Sequence, residues 1–232
     1  TIYACVACAP YDVVFDPDDQ LWFSGQADRA VYRMVPPYEG PENSVLISWG
    51  WPTQLALVEG MGKLAVGMRA GEDMALVDTR LNTADRVPLG PSPGAVTPRP
   101  GAPEAWAALD PTGYLARVEV LGDAGAPKTR VMKIGEYPSD LSFLPGGQRL
   151  LVSLGQPLGV ALYDAGGGEQ LGLLEMSSRP GALEVLPSGR RAAVLVPEER
   201  KLVWIGISEN GALTEEGSFE LDGRPMRVLW IP

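Results

Sequence analysis

The chain has 232 residues, 45% of them apolar, with 19 Lys and Arg against 29 Asp and Glu and a formal charge of −10. This length suits one all-β domain over residues 1–232, and no run of roughly eighteen apolar residues is present to span a bilayer. The acidic balance repels phosphate backbones and anionic headgroups, so neither nucleic acid nor a membrane surface is an expected partner. The sequence holds no histidine, which removes the commonest general base and metal ligand together with the triads and zinc sites built on it.

From the N-terminus, residues 2–6 read as a strand, and the only two cysteines, Cys5 and Cys8, stand in a Cys-Val-Ala-Cys spacing. Ala9 follows where covalent haem attachment needs histidine, and two cysteines alone cannot complete a four-ligand zinc site. Buried inert thiols are the reading here, with a local disulfide or a lipidated cysteine near a processed terminus as alternatives. The sequence starts at Thr1, which fits removal of a targeting segment. The expected location is therefore extracytoplasmic, in the periplasm or at the cell surface, with the cytoplasm as the alternative. Neither a cofactor nor a metal is expected.

A pattern of proline, two variable residues and alternating aliphatics then recurs, opening at Pro10, Pro52, Pro93, Pro138, Pro180 and Pro225. The separations of 42, 41, 45, 42 and 45 residues fall in the range of a four-stranded propeller blade. After each proline the period is two, the signature of a strand with two different faces. The third and fifth places hold Val13 and Phe15, Leu55 and Leu57, Leu141 and Phe143, Leu183 and Val185, and Val228 and Trp230. They should pack between blades. The second and fourth places are small or polar, and Asp12, Gln54, Asp140, Glu184 and Arg227 should line a central channel.

Turn residues divide each repeat further. In the third repeat Pro98 and Pro100 fall where an inner strand should pair on both sides, so that strand should be cut short; strands at 104–109, 114–120 and 129–134 follow. In the fourth, Pro145-Gly146-Gly147 turns into strands at 149–153, 159–164 and 170–175. In the fifth, Pro187-Ser188-Gly189 leads to 191–196, 201–207 and 217–221. The fold predicted is an all-β propeller of about 42-residue, four-stranded blades, with six angular positions and a reduced closing blade made from 226–231 and 2–6. A five-bladed ring is the alternative.

The stretches 138–153 and 180–196 resemble the bacterial YVTN-type propeller repeat: proline, aliphatic alternation, a Pro-Asp-Gly-like turn and an apolar strand. Ala75-Leu76-Val77-Asp78-Thr79 is similar to that family's third strand and its Asp-Thr ending, and 10–24, with Leu21-Trp22-Phe23-Ser24, resembles NHL and streptogramin-lyase-like blades. The resemblance covers most of the chain and implies a propeller fold. It spans surface and periplasmic binding proteins, lactonases and lyases, so it leaves function open, and no catalytic residue transfers by motif.

Four features carry candidate chemistry. Asp12, Asp140 and Glu184, with Arg227 at the matching place, would be the acid and base of a carboxylate-dependent hydrolase or would bind a metal if they converge; otherwise they are solvated channel residues, with Arg227 pairing to Asp12. Asp16-Pro17-Asp18-Asp19 has the oxygen density of a calcium loop but lacks its glycine and later glutamate, and reads better as a hairpin turn. Trp49 and Trp51 flank Gly50, and either pack between blades or present aromatic surface to a sugar or peptide. Gly166-Gly167-Gly168 precedes neither helix nor Lys, so it is a connector and not a phosphate loop. The function expected is a non-enzymatic scaffold propeller that binds a protein, small-molecule or glycan ligand. The alternative is a hydrolase or lactonase-like enzyme with its site in the channel.

Overall fold

The computed structural model describes residues 8–122 and 125–228. All regular structure among them is β-strand, arranged as five antiparallel four-stranded sheets formed in chain order. The first holds β1 (Pro10–Phe15), β2 (Leu21–Gly25), β3 (Ala30–Met34) and β4 (Asn43–Leu46); the second holds β5 (Trp51–Val58), β6 (Lys63–Arg69), β7 (Asp73–Asp78) and β8 (Thr83–Pro88). The third holds β9 (Pro93–Pro98), β10 (Glu104–Leu109), β11 (Tyr114–Glu119) and β12 (Lys128–Lys133). The fourth holds β13 (Asp140–Phe143), β14 (Arg149–Leu154), β15 (Gly159–Asp164) and β16 (Gln170–Glu175). The fifth holds β17 (Leu183–Val185), β18 (Arg191–Val196), β19 (Lys201–Ile207) and β20 (Leu213–Glu220). Two compact units divide the chain, 1–109 with 116–130, and 110–115 with 131–232.

Side-chain alternation explains why residues 74–77 of β7 form a continuous apolar run. In β7, Met74 and Leu76 enter a core shared with Val96 of β9 and Ala105, Ala107 and Leu109 of β10. The intervening Ala75 and Val77 enter a second core with Trp22, Val31 and Ile47 of the first sheet's side. A sheet covered on both faces has no polar side to show, so its strands read as near-continuous apolar runs and not as strict alternations. In the second unit the fourth and fifth sheets share one core, in which Leu151, Val160 and Leu162 meet Val194, Val203 and Ile205.

Turns close these meanders by local chemistry. Asp78 ends β7, and its Oδ1 accepts from the Arg80 and Leu81 amides at 2.9 and 2.8 Å while its Oδ2 takes Lys63 Nζ at 2.7 Å. Thr79 Oγ1 donates to the Gly62 carbonyl at 2.9 Å. The Asp-Thr ending is thus a turn clamp that ties the β7–β8 turn to the β5–β6 hairpin. Burial opposes ionisation of Asp78. The hydrogen bond from Lys63, the two amides and the Lys63 charge outweigh it and hold the carboxyl below its usual range.

Several expectations are corrected. The described residues form five complete sheets and no sixth, so the five-bladed alternative replaces the six-position one. Met226–Val228 carries no strand, and residues 2–6 and 229–231, and with them Trp230, lie outside the described residues. The strand after Pro93 is not cut short. β9 is an edge of its sheet, so Pro98 faces a partner on one side only, and Ala105 pairs with Pro98 at the end of a six-residue strand. Val13 and Phe15 are exposed, and the ring of Phe15 lies in an edge-on contact with Tyr38 at 6.0 Å. β20 begins at Leu213, four residues before the predicted start. Cys8 is fully buried and disulfide-bonded, not a free thiol; the other cysteine, Cys5, lies outside the described residues.

Two substitutions test this packing. Trp22 is fully buried and its Nε1 donates to Asp16 Oδ2 at 2.9 Å, so Trp22→Ala should cost about 3–5 kcal/mol in denaturant unfolding. Gly67 of β6 faces β9 so closely that an added Cβ would overlap the Gly94 carbonyl and lie 2.9 Å from Thr53 Oγ1. Gly67→Ala should therefore lower the unfolding midpoint, by about 1–3 kcal/mol in stability.

Candidate functional site

The polar residues of the innermost strands are buried: Asp12 is 6% exposed, Gln54 5% and Asp140 3%. Each accepts a hydrogen bond from the backbone of the next sheet. Asp12 Oδ2 takes the Leu55 amide at 2.9 Å, Gln54 Oε1 the Val96 amide at 2.9 Å, and Asp140 Oδ2 the Leu183 amide at 2.9 Å. In every case the acceptor stands two places after one repeat's proline and the donor three places after the next. The sequence separations are 43, 42 and 43 residues, one blade each.

Hydroxyls reinforce these clasps. Ser24 Oγ receives the Asp12 amide at 3.1 Å and donates to the Thr53 carbonyl at 2.6 Å, and Thr53 Oγ1 donates to the Gly94 carbonyl at 2.6 Å. In the second unit Ser139 Oγ, one place after its proline like Thr53, donates to the Pro180 carbonyl at 2.9 Å, and Ser142 Oγ receives the Val185 amide at 3.4 Å. Ala95 holds the corresponding acceptor place in the third repeat and has no acceptor to offer.

Of the residues assigned to acid and base roles, Asp12 belongs to the first unit, and Asp140 and Glu184 to the second. Glu184, on β17, is half-buried. Arg227 sits beside Asp140, with Nη1 3.8 Å from Oδ2. Among the described residues no group of three Asp, Glu, Cys or His is placed to hold a metal ion.

The Asp16–Asp19 segment is a turn. Asp16 Oδ1 accepts from the Asp18 and Gln20 amides at 3.0 and 2.9 Å, Oδ2 takes Trp22 Nε1, and Asp19 has a φ of 56°. Trp49 packs against the core of the first two sheets with Arg86 5.2 Å above its ring, whereas Trp51 is exposed. Gly166-Gly167-Gly168 joins β15 to β16, with the Asp164 carboxylate accepting the Gly167 amide.

A feature absent from the sequence reading lies on the third sheet. Arg117 and Glu119 of β11, with Lys128, Thr129 and Arg130 of β12, line an open groove of about 440 Å³. Behind it Glu104 of β10 is buried and gathers Arg99 Nη1 at 3.2 Å, Trp106 Nε1 at 3.3 Å and Arg117 Nη2. Burial opposes ionisation of Glu104, but these three donors and the Arg117 charge overcome it and lower its pKa. The cationic spacing 117, 128, 130 is dispersed over two strands and a connection, so no linear motif announces it.

Two measurements follow from this geometry. Asp140→Ala leaves the Leu183 amide buried without its acceptor, which should cost about 1–3 kcal/mol and speed hydrogen exchange at Leu183 more than at amides within β18 and β19. Glu104 has a folded-state pKa below its unfolded one, so it stabilises the fold above the ordinary carboxylate range, and the stabilisation is lost as pH falls through the lowered value. Glu104→Gln should therefore lower the denaturation midpoint at neutral pH and reduce the drop seen on acidification.

No protein-family model matches the chain, and no curated protein matches its sequence. Solved structures do. A 6-phosphogluconolactonase-like protein from Bacteroides uniformis superposes with a TM-score of 0.85 at 15% identity over 97% of this chain and 75% of that one. Virginiamycin B lyase from Staphylococcus aureus gives 0.78 at 14% identity over 98% and 76%. The β-propeller domain of Cps50 (Swd1) from Myceliophteria thermophila gives 0.76 at 16% identity over 91% and 71%. With five four-stranded meanders in chain order and these likenesses, the chain has the β-propeller fold.

Proposed function

We propose that this chain is a non-enzymatic binding propeller, one domain over 1–232, that serves as a scaffold for a protein, small-molecule or glycan ligand outside the cytoplasm. One observation carries the reading: of the three carboxylates that could serve as acid and base, Asp12 and Asp140 are buried and hydrogen-bonded to the next sheet's backbone. A general acid or base needs a side chain that reaches substrate and exchanges protons with it, and a carboxyl clasped to a buried amide is held away from that task. The disulfide at Cys8 supports the compartment, since such bonds persist in oxidising surroundings. Similar folds carry lactonase-like, lyase and non-enzyme names, so fold alone does not choose among them.

The discriminating experiment supplies 6-phosphogluconolactone and simple lactones and esters to the purified chain, alongside Glu184→Gln. No turnover above the buffer blank is the expected result. Hydrolysis by the parent chain that disappears in Glu184→Gln would replace this reading with a carboxylate-dependent hydrolase.

A further inference from the structure

Among the described residues each sheet ends on an outer strand that pairs with a strand on one side only: β4, β8, β12, β16 and β20. On β12, Lys128, Thr129, Arg130, Val131 and Lys133 are all exposed. The chain carries a charge of −10, yet this edge bears three cations and no carboxylate. The groove beneath adds Arg117 and a single Glu119, and the Glu104 carboxylate behind it is already paired with Arg99 and Arg117. The local excess is positive, in a protein whose overall field is negative.

Charges on an edge strand usually keep identical edges apart. A cationic edge repels its own copies but accepts a strand of opposite sign, so edge protection and selective docking are compatible. We infer that the β12 edge docks an extended acidic peptide of a partner protein as a fifth strand, with carboxylates at alternate positions facing Lys128 and Arg130 over the groove. Lys128 and Arg130 are two residues apart, hence on one face of the strand and about 6.6 Å apart along it. An added strand runs about 4.8 Å away, and its alternate side chains repeat at the same interval. Backbone hydrogen bonds supply affinity in this mode of recognition, and the alternate side chains supply selectivity. The inference rests on the binding-propeller reading and names the partner chemistry and the surface.

The probe is a short fluorescent peptide alternating Glu and Thr, titrated by anisotropy at low and at physiological salt. Binding that weakens with salt is expected, and the double variant Lys128→Glu with Arg130→Glu should weaken it about tenfold, or about 1.4 kcal/mol. Both residues are exposed, so the variant should keep its circular dichroism and thermal midpoint. A Lys-Thr peptide should bind the double variant better than the parent chain. The D-enantiomer and a peptide N-methylated at alternate residues should lose most of the affinity, because each breaks strand pairing but keeps the charge. The inference is overturned if the Glu-Thr peptide does not bind, if charge reversal leaves binding unchanged, or if the D-peptide, polyphosphate or poly(U) RNA binds as well, which would make the groove a general anion patch. Any of these with no lactone hydrolysis removes the docking inference alone, whereas Glu184-dependent hydrolysis removes the function it rests on.

Discussion

One hydrogen bond, repeated, organises this molecule: a side chain two places after a repeat's proline accepts the amide three places after the next proline. It runs from Asp12 to Leu55, from Gln54 to Val96 and from Asp140 to Leu183. An innermost strand is a sheet edge, and an unpaired buried amide there would cost about 1–3 kcal/mol. A side-chain acceptor from the preceding sheet meets that need without a fifth strand. Because donor and acceptor sit at fixed offsets from their prolines, satisfying the amide also sets the register between neighbouring sheets. The residue that carries the donating amide is also the one that packs the core: Leu55, Val96 and Leu183 each enter an intersheet cluster.

This coupling explains the composition of the inner strands. A strand placed against a neighbouring sheet is expected to be apolar, yet Asp12, Thr53, Gln54 and Asp140 are all buried. Their polarity is structural, and buried polar groups are tolerated because they are hydrogen-bonded. The same logic accounts for Gly67, where β6 and β9 approach too closely for a Cβ, beside the Thr53 hydroxyl that bonds the Gly94 carbonyl.

The strands of the later repeats were legible because their punctuation is local. Pro145-Gly146-Gly147 and Pro187-Ser188-Gly189 mark hairpins whatever surrounds them, and β15, β16, β18 and β19 fall where the turns and apolar runs place them. What failed depended on neighbours. Whether the strand after Pro93 pairs on one side or two, and whether the segment after Pro225 has partners, are facts about other segments of the chain. The site was less legible still. Alternation places Asp12, Gln54 and Asp140 on one side of their strands, but a backbone amide some 42 residues away carries no side-chain signature, so a clasp reads like an exposed carboxylate. The β12 groove escaped for the opposite reason, since Arg117 and Arg130 come together only once β11 and β12 are in the same sheet.

The strands of each blade carry different framework duties. On the inner strands Asp12, Gln54 and Asp140 are committed to the next sheet, and the apolar residues of the middle strands to the cores. The outermost strands give single residues to those cores, Val45 of β4, Val87 of β8 and Leu213 of β20, and their exposed residues differ in charge: Lys-Thr-Arg-Val-Met-Lys in β12 against Leu-Thr-Glu-Glu-Gly-Ser-Phe-Glu in β20. Two strands in the same structural place with opposite charge mean that the fold does not dictate charge at that place. A chain dominated by Asp and Glu would by composition alone place carboxylates on every rim. The cations of β12 stand against that background, and nothing in the packing of the third sheet requires them, because Glu104 is already satisfied by Arg99, Trp106 and Arg117.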